Sequence, residues 1–443
     1  MKILYLSFFF APLNSMASLR AIKQTKYLFK SGIITYVLTS DFRLMHNCSN
    51  LKPEIPDKYI YRAKYYDIFK NSLINQISHK IKERYQASSS ASLCHKRNEL
   101  PLFRVERIKH FWSNFIPISF VRMPDRTFTW IPSAYRIARY ILNTKDVDII
   151  FTSSPPPSAS ILGSFLQRKT GLPWVAEFRD LWSLNSLEKR ILIIDLAERL
   201  IERQVLKNAA ALVTVSEKLR HHLELLHKKP TYVVYNGFDP EDFADNIPLL
   251  KEFTITYTGS LSSKRNPSPL FHALSILRKS GYISKDFFRL RFIGTRYEEY
   301  ITNLAKYYKI EDMVEVYGRV NYKRSIRAQK ESTLLLLLEG MDPESKGVLT
   351  GKIFEYIASG RPVLAICHER GEIAQLLQKC RIGAVVNQPS QIATFLIKCL
   401  NRFRQGDFYF GFHVNQQEID RYSRKNQSDT LANIFQKLTN GDI

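Results

Sequence analysis

Lys352 and Glu355, three positions apart, stand within residues 346–365, KGVLTGKIFEYIASGRPVLA, which read as a glycine-bearing loop, a short helix and a buried strand. An α/β protein builds an anion site in this way. Gly347 and Gly351 would let the backbone turn tightly, and a helix starting near Lys352 would aim its unpaired N–H groups and positive dipole end at a phosphate. Lys352 would add a full charge there. Glu355 shares its helix face and could accept hydrogen bonds from a diol such as a ribose. Gly360 would end the helix, Arg361-Pro362 forbids its continuation, and the run 363–367 is short and apolar enough for an interior parallel strand. The competing reading is a salt-bridged surface helix with a glycine C-cap.

Other segments favour the anion site. Residues 258–266, TGSLSSKRN, follow one apolar run and precede a helical pattern, and there Lys264 and Arg265 could face a diphosphate. Gly294-Thr295-Arg296 repeats the arrangement after the next strand candidate. Three such loops at the carboxyl ends of three strands imply a nucleotide-diphosphate ligand. In the first half, Glu177-Phe178-Arg179-Asp180-Leu181-Trp182 follows an apolar run, so Arg179 and Asp180 are site candidates and Trp182 could stack on a sugar ring. A structural pair, Arg179–Asp180 or Glu177–Arg179, is the alternative. Asp146-Val147-Asp148 resembles a metal-binding Asp-x-Asp, but it precedes its strand and so lies at the wrong end of a sheet. His221, His222 and His227 fit a surface helix better than a metal site. No Ser-His-Asp or nucleophilic cysteine arrangement is identifiable.

The elements that must position these residues alternate strand and helix in both halves. Strands are expected at 3–10, 34–38, 147–151, 174–178 and 211–215, then at 253–258, 290–293, 314–317, 334–338, 363–367 and 384–386. Helices are expected at 187–207, 269–279 and 428–438, and a turn-rich stretch at 236–248 marks a domain boundary. The chain of 443 residues is too long for one ordinary core. No apolar run approaches the ~18 residues of a membrane span, and the apolar start reads as a first strand rather than a secretion signal. Five scattered cysteines fit a reducing cytoplasm. The net charge of +24 is uneven: residues 52–145 hold 18 Lys and Arg against 7 Asp and Glu. With Tyr59, Tyr61, Tyr65, Tyr66, Phe69, Phe103, Phe111, Trp112 and Phe115 interleaved, that segment suits an anionic membrane face better than a nucleic-acid groove, unless it is only a solvated face.

Residues 211–216 and 233–239, the 258–266 loop, Val316-Tyr317-Gly318-Arg319-Val320 and the 346–365 signature together resemble a retaining glycosyltransferase of the GT-B fold, similar to glycosyltransferase family 4. The resemblance implies two Rossmann-like α/β domains facing across a cleft. Residues 1–240 would hold the acceptor, with a basic aromatic insertion at about 52–126. Residues 245–405 would hold a nucleotide-sugar, and 406–443 would cross back as a C-terminal helix. It implies a catalytic set of Arg179, Asp180, Lys264 and Lys352. The donor would be bound by Gly259, Ser260, Arg265, Gly294, Gly347, Thr350, Gly351 and Glu355. Cationic side chains and a helix end would replace a metal, and no cofactor is expected.

Three departures concern the sugar site. An earlier signature glutamate would fall at Gly347, so its contact is missing or moved, with Glu344 the candidate. Residues 13–18 lack the usual glycine pair, and Arg179-Asp180 stands where a His-Asp is frequent. The expected activity is hexosyl transfer to a lipid-linked or glycan acceptor at the inner membrane face, in surface-polysaccharide synthesis. A sugar-nucleotide epimerase of the same fold and a non-catalytic basic protein, binding membrane or nucleic acid, are the alternatives.

Overall fold

The computed structural model describes residues 1–42, 51–67, 125–183, 192–262 and 264–442. Most of the basic aromatic insertion, including Phe69, Phe103, Phe111, Trp112 and Phe115, lies outside the described residues. The chain forms two compact units, Met1–Val234 with Asp429–Ile443, and Tyr235–Ser428. Tyr235 to Pro240, read from sequence as closing the first domain, therefore belong to the second.

The first unit is a parallel sheet of β1 (Lys2–Ser7), β2 (Ile34–Ser40), β3 (Ile60–Ala63), β4 (Ile149–Ser154), β5 (Trp174–Phe178), β6 (Ala211–Thr214) and β7 (Thr231–Val233), in the order β3-β2-β1-β4-β5-β6-β7. Between strands run α1 (Met16–Lys30), α2 (Trp130–Thr144), α3 (Ser158–Thr170), α4 (Leu192–Leu206) and α5 (Glu217–His227). Side chains alternate across the sheet. Leu4 and Leu6 pack with Trp130 and Trp174 on one face, while Ile3 and Tyr5 pack with Phe151 and Phe435 on the other. The apolar run at 3–10 outlasts its strand, because the Phe8 carbonyl turns to accept from Thr39 Oγ1 and Ser40 N, and Phe8 packs edge-on against Phe42. Where a glycine pair is usual, Ser15 caps α1 by accepting from Ser18 N at 3.1 Å.

The second unit repeats the plan. Its strands are β8 (Phe253–Thr258), β9 (Phe288–Ile293), β10 (Val314–Tyr317), β11 (Leu334–Leu338), β12 (Val363–Ile366) and β13 (Gly383–Val385), in the order β10-β9-β8-β11-β12-β13 and all parallel. The helices are α6 (Ser268–Lys279), α7 (Glu298–Tyr307), α8 (Tyr322–Lys330), α9 (Gly351–Ala358), α10 (Glu372–Cys380), α11 (Pro389–Arg404), α12 (Gln416–Arg421) and α13 (Arg424–Asn440). The pure leucine run of β11 feeds both faces of the sheet: Leu334, Leu336 and Leu338 join one core, Leu335 and Leu337 the other. Residues 406–443 are thus two helices rather than one. α13 starts in the second unit and ends in the first, where Leu431, Ala432, Ile434 and Phe435 join the core.

A buried ion pair fastens the first unit. Arg20 on α1 donates to Glu177 Oε1 from Nη2 at 2.6 Å and Nε at 3.0 Å, with side-chain exposures of 1% and 0%. Gln24 and Ser153 also donate to Glu177, and Arg20 Nη2 reaches the Val234 carbonyl. Burial opposes the Glu177 charge, but the guanidinium and these hydrogen bonds outweigh it and hold the carboxyl below its ordinary range. Replacing Glu177 with Leu strands Arg20 and should cost about 3–5 kcal/mol, whereas adding Arg20→Met should recover most of it. All four tryptophans precede residue 234, so urea unfolding followed by their fluorescence reads this unit. Equal midpoints for Glu177→Leu and wild type would contradict the assignment.

Candidate functional site

In the second sheet the strand order reverses between β8 and β11, and at such a switch the loops leaving the carboxyl ends part to opposite faces and open a crevice. Gly259 follows β8 with φ +96°, and Gly294 follows β9 with φ +84°. A Cβ on Gly294 would lie 3.5 Å from Gly259 Cα, so these two glycines permit the close approach of the loops. Gly347 and Gly351 do not use the left-handed backbone that only glycine adopts readily. Gly347 closes a 3₁₀ turn, Pro343–Gly347, and Gly351 is the first residue of α9, neither at positive φ.

Lys352, in the first turn of α9, runs back under the β8 loop. Its Nζ donates to Tyr257 Oη at 2.7 Å, lies 4.3 Å from the centre of the Tyr257 ring and points at the Ser260 carbonyl 3.5 Å away. Tyr257 Oη in turn donates to Ser260 O at 2.8 Å. A Cβ on Gly259 would come within 2.6 Å of Lys352 Cε, so the glycine is what lets the lysine pass. Among the described residues no carboxylate pairs with this amine. Burial, reinforced by the Arg265 charge, pulls its pKa down to about 7. The helix it starts has Thr350 as N-cap with no side-chain cap bond, so no side-chain oxygen of the N-cap competes with an anion at that helix start.

Glu355, one turn on, is 8% exposed, and burial raises its carboxyl to about 7 against the pull of a hydrogen bond from Gln329 and the charges of Arg424 and Lys352. The basic residues of the 258–266 loop are engaged with acids. Arg265 donates to Glu339 Oε2 from Nη2 at 2.9 Å and Nε at 3.1 Å, and Lys264 lies 3.4 Å from Asp342 and 3.5 Å from Glu344. Glu339 was not foreseen. It directly follows the leucine run of β11 and is 8% exposed, while Glu344 is surface-exposed. Hence Gly259, Ser260, Arg265, Gly294, Thr350, Gly351, Lys352 and Glu355 gather at one sheet edge with Glu339, Tyr257 and Gln329. A cavity of about 650 Å³ between Lys346, Arg370, Gln375 and Gly383 touches none of the glycine, lysine or glutamate that define this edge.

In the first unit Arg179 closes β5 and donates from Nε to Ser154 O at 3.2 Å and from Nη2 to Pro155 O. It pairs with neither Glu177 nor Asp180. Asp180 is exposed, and its carboxyl is held above the ordinary range by surrounding protein atoms that displace water, with the Arg179 charge opposing. Trp182 offers no stacking face: it is 5% exposed and belongs to the core. His227 is not on the surface but packs its ring against Glu202, 3.2 Å away. Asp146 and Asp148 hold Lys2 at the amino end of the sheet. Among the described residues, no group of three or more acidic, histidine or cysteine side chains could hold a metal ion.

The Glycosyltransferase Family 4 model matches residues 93–242 and the model of Glycosyl transferases group 1 matches 238–399. The chain is a glycosyltransferase of the family-4 type with the GT-B fold. Solved structures similar to it include sucrose-phosphate synthase from Thermosynechococcus elongatus, at 12% identity, a TM-score of 0.62 and full coverage of both chains. The Anabaena protein HepE in complex with UDP matches at 13% identity and a TM-score of 0.61, over 99% of this chain and all of that one. The apo lipopolysaccharide outer core galactosyltransferase WaaB matches at 16% and 0.52, over 99% and 100%. No curated protein matches.

Two outcomes follow from this geometry. Gly259→Ala meets both a left-handed backbone and Lys352, and should lose about 1–2 kcal/mol of stability in denaturant titration; no loss would mean that the lysine lies elsewhere. The raised Glu355 keeps its proton in the fold between about 4.5 and about 7, so its contribution to stability fades as pH rises through about 7. The lowered Lys352 sheds its proton in the fold above about 7 while the unfolded lysine keeps it up to 10.5, so stability climbs across that window. Melting temperature against pH should therefore dip near neutrality, the lower limb vanishing in Glu355→Gln and the upper in Lys352→Met.

Proposed function

We propose that the protein moves a hexosyl group from a uridine diphosphate sugar to a lipid-linked or glycan acceptor, with retention of anomeric configuration. The observation that carries this reading is Lys352, an amine with no carboxylate ion pair among the described residues, beside a helix start without a side-chain cap bond at the switch point. Such an amine is stabilised by an incoming diphosphate, which supplies the missing countercharge and favours the protonated form. Glu355, one turn further along the same helix, is taken as the acceptor for a ribose diol. One neighbour of low identity, HepE, is recorded with UDP and with UDP-glucose, which supports the choice of uridine.

In the transfer the bond from anomeric carbon to diphosphate oxygen breaks and its electron pair leaves with the diphosphate. Lys352, the N–H groups of α9 and a released Lys264 or Arg265 balance the charge that grows there. The acceptor oxygen bonds to the anomeric carbon on the vacated face, and its proton passes to the departing phosphate oxygen. Asp180, which is exposed, and Arg179 beside it fit a role in orienting the acceptor. Cations and helix end do the work a divalent metal does elsewhere, so activity should survive chelation. Surface-polysaccharide assembly at the inner membrane face suits the +24 charge, and no helix among the described residues is long and apolar enough to cross a membrane.

A thermal-shift panel of UDP, GDP, ADP and CMP tests the donor. At about 100 times its dissociation constant the true nucleotide stabilises by about 2.7 kcal/mol. The gain should appear for UDP and disappear in Lys352→Ala and Glu355→Ala; no stabilisation by any nucleotide would overturn the reading.

A further inference from the structure

The geometry points to Gln329 as a positioning residue of the donor site: its side-chain amide tethers the Glu355 carboxylate in its ionised form and ties it to Thr258, the last residue before Gly259. The residue lies on α8, is 0% exposed, and had no part in the motif that located the site. Its Nε2 donates to Glu355 Oε2 at 3.1 Å and to Thr258 Oγ1 at 3.3 Å, with Ser325 Oγ at 3.4 Å. Thr258 is fixed from the other side by Tyr356 Oη, which accepts from its N–H at 2.9 Å. One amide thus joins the β8 loop, under which Lys352 passes, to the carboxylate expected to meet the ribose.

The amide's orientation carries chemical information. As placed, it turns N–H groups toward Glu355 and Thr258 and leaves only Oε1 without a partner. The reversed amide would leave its buried N–H groups facing no acceptor on that side, a heavier cost than one idle carbonyl. An N–H donor stabilises a carboxylate and does nothing for the O–H of a carboxylic acid, so this arrangement favours the charged form that can accept two hydroxyls. The other groups acting on Glu355 are Tyr322 of α8, Arg424 of α13, Asp242 of the Pro240–Phe243 turn, and Lys352 and Tyr356 of its own helix. Of these, Arg424 and Lys352 favour the charge and Asp242 opposes it. Gln329 supplies the hydrogen bond.

This inference rests on the reading of Glu355 as the ribose ligand, but its test does not. The ¹³C carboxyl resonance of Glu355, assigned by its loss in Glu355→Gln, is followed against pH in the full chain without nucleotide. In wild type it titrates near 7; in the near-isosteric Gln329→Met it should move up by about one pH unit, the scale of one lost hydrogen bond to a charge. Gln329→Asn, which keeps the amide but shortens its reach, should move in the same direction and guards against a methionine variant that does not fold. UDP affinity is then measured at pH 6.5 and 8.5, with the greater loss expected at the lower value. A Glu355 resonance that titrates as in wild type in a folded variant would overturn the positioning role. A shifted resonance in a protein that binds no UDP would keep Gln329 as the tether and dismiss the donor reading.

Discussion

A lysine amine threaded beneath a glycine and laid against a tyrosine ring, with no ion pair to a carboxylate among the described residues, is the constraint on which the second unit depends. Lys352 occupies the place that a Cβ of Gly259 would need, so the β8 loop must be glycine at left-handed φ. Tyr257, whose ring and hydroxyl the amine uses, belongs to β8 and so fixes the loop to the sheet. The cost of partly desolvating the amine is visible as its fall to about 7. The Tyr257 ring and hydroxyl and the charges of Glu339 and Glu355 offset only part of that cost, and an anionic ligand would offset more of it.

The sheet explains why these groups meet. Both units wind their strands in the same order, and in the second the reversal lies between β8 and β11. The glycine loop leaves from one of these strands and Glu339 from the other. The Arg265–Glu339 pair spans the gap between them, a closed contact that a diphosphate can compete for. Lys264 sits between Asp342 and Glu344 in looser, exposed pairs, which cost little to break. The basic residues of the loop are therefore held in reserve, whereas Lys352 is already committed.

The alternation of apolar runs made the interior strands of both sheets legible, because interior parallel strands must be apolar on both faces; the edge strands β3, within the stretch read as an insertion, and β7 carry no such run and were missed. The position of the signature helix was legible because the interior strand β12 follows it. Which glycines carry left-handed backbone was not, since that depends on what lies beneath them: Gly259 and Gly294 do, Gly347 and Gly351 do not. Tyr257 and Gln329 were hidden because their partners are distant in the chain and neither sits in a motif. Glu339 did give a signal, a carboxylate placed directly after a strand of five leucines. Trp182 misled in the opposite sense, since an aromatic residue after a strand can be drawn into the core, here by the packing of the first sheet.

Calorimetry of UDP binding at pH 8, repeated in buffers of different ionisation enthalpy, reads out whether the diphosphate takes Lys352 as its cation. At that pH the free Lys352 is largely neutral, so a diphosphate that takes it as its cation must draw in a proton. The account predicts proton uptake approaching one per nucleotide bound, abolished in Lys352→Met. Binding with no uptake in wild type would place the diphosphate elsewhere and contradict the account.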